Sequence, residues 1–357
     1  MIRVCFFGTY VLEHMNSVLK NKLEMQGVKV IECQEDVRKN IFSIFKAYVN
    51  LYKKHRKLQY DILIIPLWKG ALAFPLVKLI TKKPILYYAY VSPYDTFLYD
   101  RKTIEPGSIK AKLIYLFEKI AWKWSDMILK ESYAEIDHFT SQFDIEKTKF
   151  RRLFISADES EFFPCPIKTP TNEFKILFFG KFIPLHGVET IVNSAKLLSK
   201  QNNIKFIFCG DGQTKGDMIM LSKKFKLSNI DFLGYVSKEK LLENIRESDV
   251  CLGIFGNTKK ASYVVTNKVY QILCSQKPLI TMRSSASKEI GLVDKENCVL
   301  VESNNPSQLS EAILFLKNNP IKSIQIAKNG RKLFENRLSM NATGKELLDY
   351  LKELMDN

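Results

Sequence analysis

The segment FKILFFGKFIPLHGVETIVNSAKLLSK, residues 174–200, constrains the fold more than any other part of the chain. Its apolar run at 176–179 has the length of a strand buried on both faces of a parallel sheet. Gly180 ends the run, and Lys181 opens a loop closed by His186 and Gly187. Beyond it Val188, Ile191, Val192 and Ala195 fall at helical spacing. The order is strand, short basic loop, helix. A helix N-terminus presents unpaired N–H groups and the positive end of a dipole, which suits an anion. Lys181 and His186 would add side-chain donors. Taken alone, the stretch is equally an ordinary strand-to-helix connection, and the downstream segments decide between the two.

The pattern repeats. Downstream, strands are predicted at 175–179, 205–209, 230–233, 250–254, 278–281 and 298–301. Helices are predicted at 188–200, 215–225, 238–247, 266–274 and 306–317, with Ser237 as N-cap of the third. Four strand ends carry glycine: Gly180, Gly210 with Gly212, Gly234 followed by Tyr235, and Gly256. One such glycine means little. A series along one sheet edge describes a crevice where a ligand meets backbone. Upstream, strands are expected at 3–7, 28–32, 61–65, 84–89, 126–129 and 149–155, and helices at 15–25, 41–54, 72–80 and 109–124. Gly8 stands at the first strand-to-helix turn. The alternation predicts an α/β protein with two doubly wound, mostly parallel sheets. Residues 156–173, SADESEFFPCPIKTPTNE, lack periodicity, carry three prolines and read as a linker. The expected domains are 1–165 and 166–339, with a last helix at about 340–357 packing back on the first. A cleft between two such domains is a usual place for a ligand.

The seven cysteines are scattered, with no C-x-x-C pair, which favours buried reduced thiols over disulfides or zinc. Met1 leads directly into a strand, so no signal peptide is expected. Residues 62–80 contain Pro66, Lys69, Pro75 and Lys78, and read as strand, loop and helix rather than a membrane span. A cytoplasmic protein is expected. Its net charge of +16 attracts polyanions such as nucleic acid, anionic lipid or phosphorylated small molecules. A basic surface with no specific partner fits the charge equally well. Residues 41–58 join Phe42, Phe45, Tyr48 and Tyr52 to Lys53, Lys54, His55, Arg56 and Lys57. That composition suits a helix lying on an anionic membrane, with Lys53, Lys54, Arg56 and Lys57 facing the lipid. A core-facing helix with a solvated basic end is the plainer account. The run Tyr87 to Thr96 ends a strand in aromatic and polar groups around Asp95, which suits a sugar or a simple turn.

The ordered series GKFIPLHGVETIV, FIFCGDG, IDFLGYV, SDVCLGIF and NKVYQILCSQKPLIT resembles the retaining, group 1 nucleotide-sugar glycosyltransferases of family 4. RVCFFGTY and YVSPYDTFLYDRK extend the resemblance to nearly the whole chain. It implies the GT-B fold of two Rossmann-like domains facing a cleft, with donor binding in the second. Two basic residues that grip the donor diphosphate match Lys181 and His186, the second where lysine is usual. Gly180, Gly187, Gly210 and Gly212 match the glycine turns around the donor, and Gly234 with Tyr235 the loop near the base. The family's paired glutamates fall on Tyr263 and Gln271, neither a carboxylate. Asn267 and Lys268, at the start of the same helix, stand as substitutes, and the Gln271 amide can still bond a hydroxyl.

The resemblance implies transfer with retention from a UDP- or GDP-linked sugar, as co-substrate and not cofactor. The acceptor would be a glycan or lipid-linked molecule in cell-surface polysaccharide or glycoconjugate synthesis, reached from the inner face of the plasma membrane. No paired-aspartate metal signature is present, so metal-independent catalysis is expected, with Asp95 orienting a hydroxyl. The rivals are an epimerase or phosphorylase on the same fold, an inactive homologue, and a basic nucleic-acid-binding protein, for which no motif is present.

Overall fold

The computed structural model describes residues 1–8, 15–35, 41–66, 74–164, 173–201 and 203–356. The chain forms two compact units, Met1–Ile155 with Met340–Asn357, and Ser156–Ser339. The second unit thus begins at Ser156, ten residues before the boundary expected above. Lys69, Cys165, and the side chains of Phe42 and Phe45 lie outside the described residues.

In the first unit the strands are β1 (Arg3–Gly8), β2 (Lys29–Gln34), β3 (Ile62–Ile65), β4 (Ile85–Tyr88), β5 (Met127–Lys130) and β6 (Phe150–Arg152). They pair in parallel in the order β2-β1-β3-β4-β5-β6. Every residue of β3, β4 and β5 is buried, which is why β3 and β4 read as continuous apolar runs without alternation, while β5 ends on a buried Lys130. Phe7, Leu63, Tyr87, Trp122 and Phe139 share one core. The last helix, Met340–Asp356, lies along the helix Met15–Met25. Gly344 makes the approach possible, since a Cβ there would stand 3.0 Å from the Lys22 carbonyl oxygen. Arg151 and Arg152 of β6 pair with Glu353 and Glu346 of the same helix.

Under that helix pair Lys22 is fully buried, and its ammonium donates to the Phe154 carbonyl oxygen at 2.7 Å. Burial lowers its pKa to about 7, against smaller opposing pulls from Glu346 and Glu131. Between pH 7 and the ordinary lysine value the unfolded chain then holds the proton and the folded chain releases it. Stability from this group therefore rises with pH across that window, by on the order of 1 kcal/mol per pH unit. Urea unfolding from pH 7 to 10 is expected to show a steeper rise for the wild type than for Lys22→Met. Parallel profiles would refute the assignment.

In the second unit the strands are β7 (Phe174–Phe179), β8 (Ile204–Cys209), β9 (Ile230–Gly234), β10 (Val250–Leu252), β11 (Leu279–Met282) and β12 (Val299–Val301). They too pair in parallel, in the order β12-β11-β10-β7-β8-β9. The order reverses between β7 and β10, and in open α/β sheets ligands bind outside the carboxyl ends of strands at such a switch. Ile176, Phe178, Val188, Ile191 and Val192 enter the core from opposite sides of the loop after β7. The helices Tyr133–Phe143, Lys259–Tyr263, Ser285–Glu289 and Pro320–Leu333 are present without having been expected from the sequence. Ser237 caps its helix by accepting from the Lys240 N–H. The six described cysteines are buried and free. Among the described residues no helix is long and apolar enough to cross a membrane.

Candidate functional site

The loops that leave β7, β8, β9 and β10 are fastened to one another by backbone. Gly180 N–H donates to Cys209 O, Gly210 N–H to Gly234 O, Phe182 N–H to Asp211 O, and Phe255 N–H to His186 O. Glycine is needed because these chains touch. A Cβ on Gly210 would lie 1.9 Å from Gly180 O, and one on Gly187 2.4 Å from Gly256 N. On Gly212 it would meet Phe182 N and O at 2.7 Å. Gly187, Gly210 and Gly212 thus serve backbone-to-backbone packing, a demand that the sequence alone did not show. Gly234 suits its place for another reason, the φ of +71° at the turn out of β9, since only the Lys215 ammonium comes within 4 Å of a Cβ there.

Gly180 faces a cationic group. A Cβ at this position would lie 3.2 Å from Lys268 Nζ and 3.3 Å from His186 Cε1. Lys268 enters from the helix Asn267–Cys274, whose first turn stands behind the β10 loop. Its ammonium lies 3.9 Å from the centroid of the Phe178 ring and donates to Gly253 O at 3.3 Å. Burial pushes the Lys268 ammonium well below the ordinary lysine value. A buried cation held by one carbonyl and a ring face is poised to gain from an anion. The N-cap of this helix, Thr266, makes no side-chain capping bond, and its buried hydroxyl has no partner among the described residues. Asn267 is half-buried at the first helical position, and Gln271 is buried one turn later. Tyr263 is buried.

His186 is also buried, with Nδ1 against the Lys181 carbonyl oxygen. A carbonyl only accepts, so Nδ1 carries the hydrogen. The neutral ring has then spent its one N–H, and only the imidazolium offers a second donor at Nε2. A neutral His186 thus has no N–H left for a diphosphate, and its charged form is the one that has. The Lys181 side chain is exposed, and Tyr235 is 90% exposed. Asp211 pairs with Lys215 at 2.7 Å beside Gly212. The structure therefore gathers Gly180, His186, Gly187, Gly210, Gly212 and Lys268, while Lys181 and Tyr235 stand at the surface.

In the first unit Gly8 ends β1 at φ +132°, and the residues after it lie outside the described ones. Asp95 is buried in the short helix Pro93–Asp95, which Ser92 caps. Its carboxylate is 3.8 Å from His138 Nε2. Beside it Glu118 accepts from the Tyr94 N–H, and burial raises its pKa to about 7. Lys130 and Glu135 form a buried pair at 3.2 Å. Sequence reasoning missed Glu118, His138 and Lys130. One signal was present: Ser132 and Glu135 stand at capping-box spacing, and Ser132 does cap the helix Tyr133–Phe143.

The basic cluster after residue 52 is divided. His55 is buried between Phe7 and Tyr60, Lys54 pairs with Glu35, and Lys53, Arg56 and Lys57 are exposed. Ala47 and Leu51 turn the other face of that helix inward.

Residues 160–333 match the family model described as glycosyl transferases group 1. The second unit is a group 1 glycosyl transferase domain. An uncharacterized glycosyltransferase of Methanocaldococcus jannaschii is 28% identical over 180 residues, 50% of this chain and 48% of that protein. The chain thus spans about half the length of this relative. The Anabaena protein HepE, solved with UDP-glucose, superposes with a TM-score of 0.74 at 12% identity over 99% of this chain and 100% of that one. A sucrose-phosphate synthase of Thermosynechococcus elongatus gives 0.74 at 13% identity over 100% of both. The fold is that of the GT-B glycosyltransferases. In the transferase domain, the β7 and β10 loops and the helix Asn267–Cys274 bring a buried ammonium and a helix N-terminus to the switch point. That combination can bind and stabilise an anion.

Proposed function

We propose that the chain is a retaining glycosyltransferase that moves a sugar from a UDP- or GDP-linked donor to a glycan or lipid-linked acceptor, in cell-surface polysaccharide or glycoconjugate synthesis. The observation that carries this reading is the position of Lys268 behind Gly180, at the switch point of the transferase domain. In such a transfer the bond from the anomeric carbon to the diphosphate oxygen breaks, and negative charge grows on the diphosphate. Lys268, Lys181 and the N–H groups at the start of the helix Asn267–Cys274 are the donors proposed to meet that charge, without a metal ion. Gln271 is proposed to bond a ribose hydroxyl, Tyr235 to lie near the base, and Asp95 to orient a hydroxyl. The UDP-glucose found in the HepE structure supports the choice of donor class. Tyr263 and Gln271, standing where the family has glutamates, support one competing reading, an inactive homologue.

A thermal-shift screen of nucleotide-sugars should single out one donor, because a ligand of the folded state raises its stability by mass action. Release of nucleotide diphosphate on addition of acceptor, undiminished in a chelator, is the expected second result. Donor binding without turnover on any acceptor would favour the inactive homologue, and sugar isomerisation without acceptor would favour an epimerase. Lys181→Ala is expected to weaken donor binding severalfold at unchanged melting temperature, as an exposed cation that contacts phosphate would. Unchanged affinity would remove Lys181 from the site.

A further inference from the structure

The helix Ile109–Trp124 is amphipathic in an unusual sense. Its inward face is Ala111, Glu118, Ala121 and Trp122, all buried. The opposite face is apolar as well. Ile109 is 79% exposed, Leu113 49%, Leu116 51%, Phe117 42% and Trp124 37%. At one hundred degrees per residue these five share a single arc along the whole helix. Lysines border the arc: Lys112, Lys119 and Lys123 on one side, Lys110 on the other. Lys119 reaches Asp144 at 3.8 Å, whereas Lys110, Lys112 and Lys123 have no carboxylate partner among the described residues. The helix has one acidic residue, Glu118, and it points inward.

We propose that this face docks on an anionic lipid surface, with the apolar arc in the headgroup boundary and the lysines against lipid phosphates. A face this apolar on a folded protein marks an interaction site. The charge of its border selects the partner. A second copy packed about a two-fold axis would bring the same lysines together, whereas an anionic leaflet neutralises them. Trp124 at the end of the arc matches the preference of tryptophan for the membrane boundary. The proposal places the docking surface on residues 109–124 rather than on the helix Ile41–His55, whose Ala47 and Leu51 pack inward. The proposal is independent of the transferase reading, which donor binding measured on the same samples tests separately.

The experiment is co-sedimentation of the full chain with vesicles of phosphatidylcholine containing phosphatidylglycerol. Wild type should bind at low salt, release at high salt, and ignore pure phosphatidylcholine. Lys110, Lys112 and Lys123 changed together to Gln should lower the partition coefficient on the order of a hundredfold. Leu113, Leu116 and Phe117 changed to Ser should lower it at least about tenfold. Lys53, Lys54, Arg56 and Lys57 changed to Gln should lower it less than the 110, 112 and 123 variant does, since among the described side chains of their helix the large apolar ones exposed are Val49 and Tyr52, against five on the helix 109–124. All three variants alter exposed side chains, and an unchanged melting temperature confirms folding. The proposal fails if wild type does not bind anionic vesicles at low salt, or if the serine variant binds as wild type does. It fails equally if only the 53–57 variant loses binding, or if the arc instead holds a dimer that the serine variant dissociates.

Discussion

Gly210→Ala is expected to leave the transferase domain unable to fold, whereas Gly216→Ala, six residues on, should cost nothing or stabilise it. Gly210 has φ +141°, a region that residues with a Cβ rarely occupy, and the strain alone is about 1–3 kcal/mol. The added Cβ would also sit 1.9 Å from the Gly180 carbonyl oxygen, which is backbone and cannot swing aside. Relief means breaking Gly180 N–H to Cys209 O or Gly210 N–H to Gly234 O, the bonds that hold the β7, β8 and β9 loops in place. Together these exceed about 4 kcal/mol, against about 5–15 kcal/mol for a whole domain. Gly216 is inside the helix Lys215–Lys224, with nothing within 4 Å of a Cβ. Alanine there lowers the entropy of the unfolded chain and should contribute about 0.5 kcal/mol. Expression yield and urea midpoints of the two variants give the comparison. A Gly210→Ala protein with the wild-type midpoint would show that these loops are not locked as described.

The same glycines show what a sequence reveals and what it hides. Strand, turn and helix could be read around Gly180 because the apolar run at 176–179 and the spacing from Val188 are local signals. What each glycine does could not, because the atom that excludes a side chain at Gly187 belongs to Gly256, in another loop. Lys268 was legible as a basic residue at a helix start. Its burial was not, since the Phe178 ring and the Gly253 carbonyl that hold it come from two other strand ends. The helix 109–124 was legible as a helix, but which face met the sheet was not. Both faces are apolar, so periodicity alone left the exposed arc undetected. Asp95 stood out by its aromatic neighbours, while His138 and Glu118 gather beside it only through the fold.

Lys268→Met is expected to weaken nucleotide-sugar binding by about tenfold to a hundredfold, the loss of a charged hydrogen bond. It should also abolish a proton uptake that accompanies binding in the wild type. In the free protein, burial holds the Lys268 pKa well below its ordinary value. A diphosphate within reach favours the charged form and raises that pKa. Between the two values the complex holds a proton that the free protein lacks, so binding takes one up and affinity falls as pH rises through the window. Calorimetry in buffers of different ionisation enthalpy counts the proton directly. Methionine is unbranched and one atom shorter than lysine, and it packs its sulfur against the Phe178 ring, so the variant should fold. Its melting temperature should not fall, because a desolvated amine gives way to an apolar group and the Gly253 carbonyl loses only a 3.3 Å bond. Equal affinity and equal proton uptake in the two proteins would place the diphosphate elsewhere. Equal affinity with lost uptake would show that Lys268 titrates on binding without holding the donor. Only a joint loss supports the buried ammonium behind Gly180 as the group that meets the leaving diphosphate.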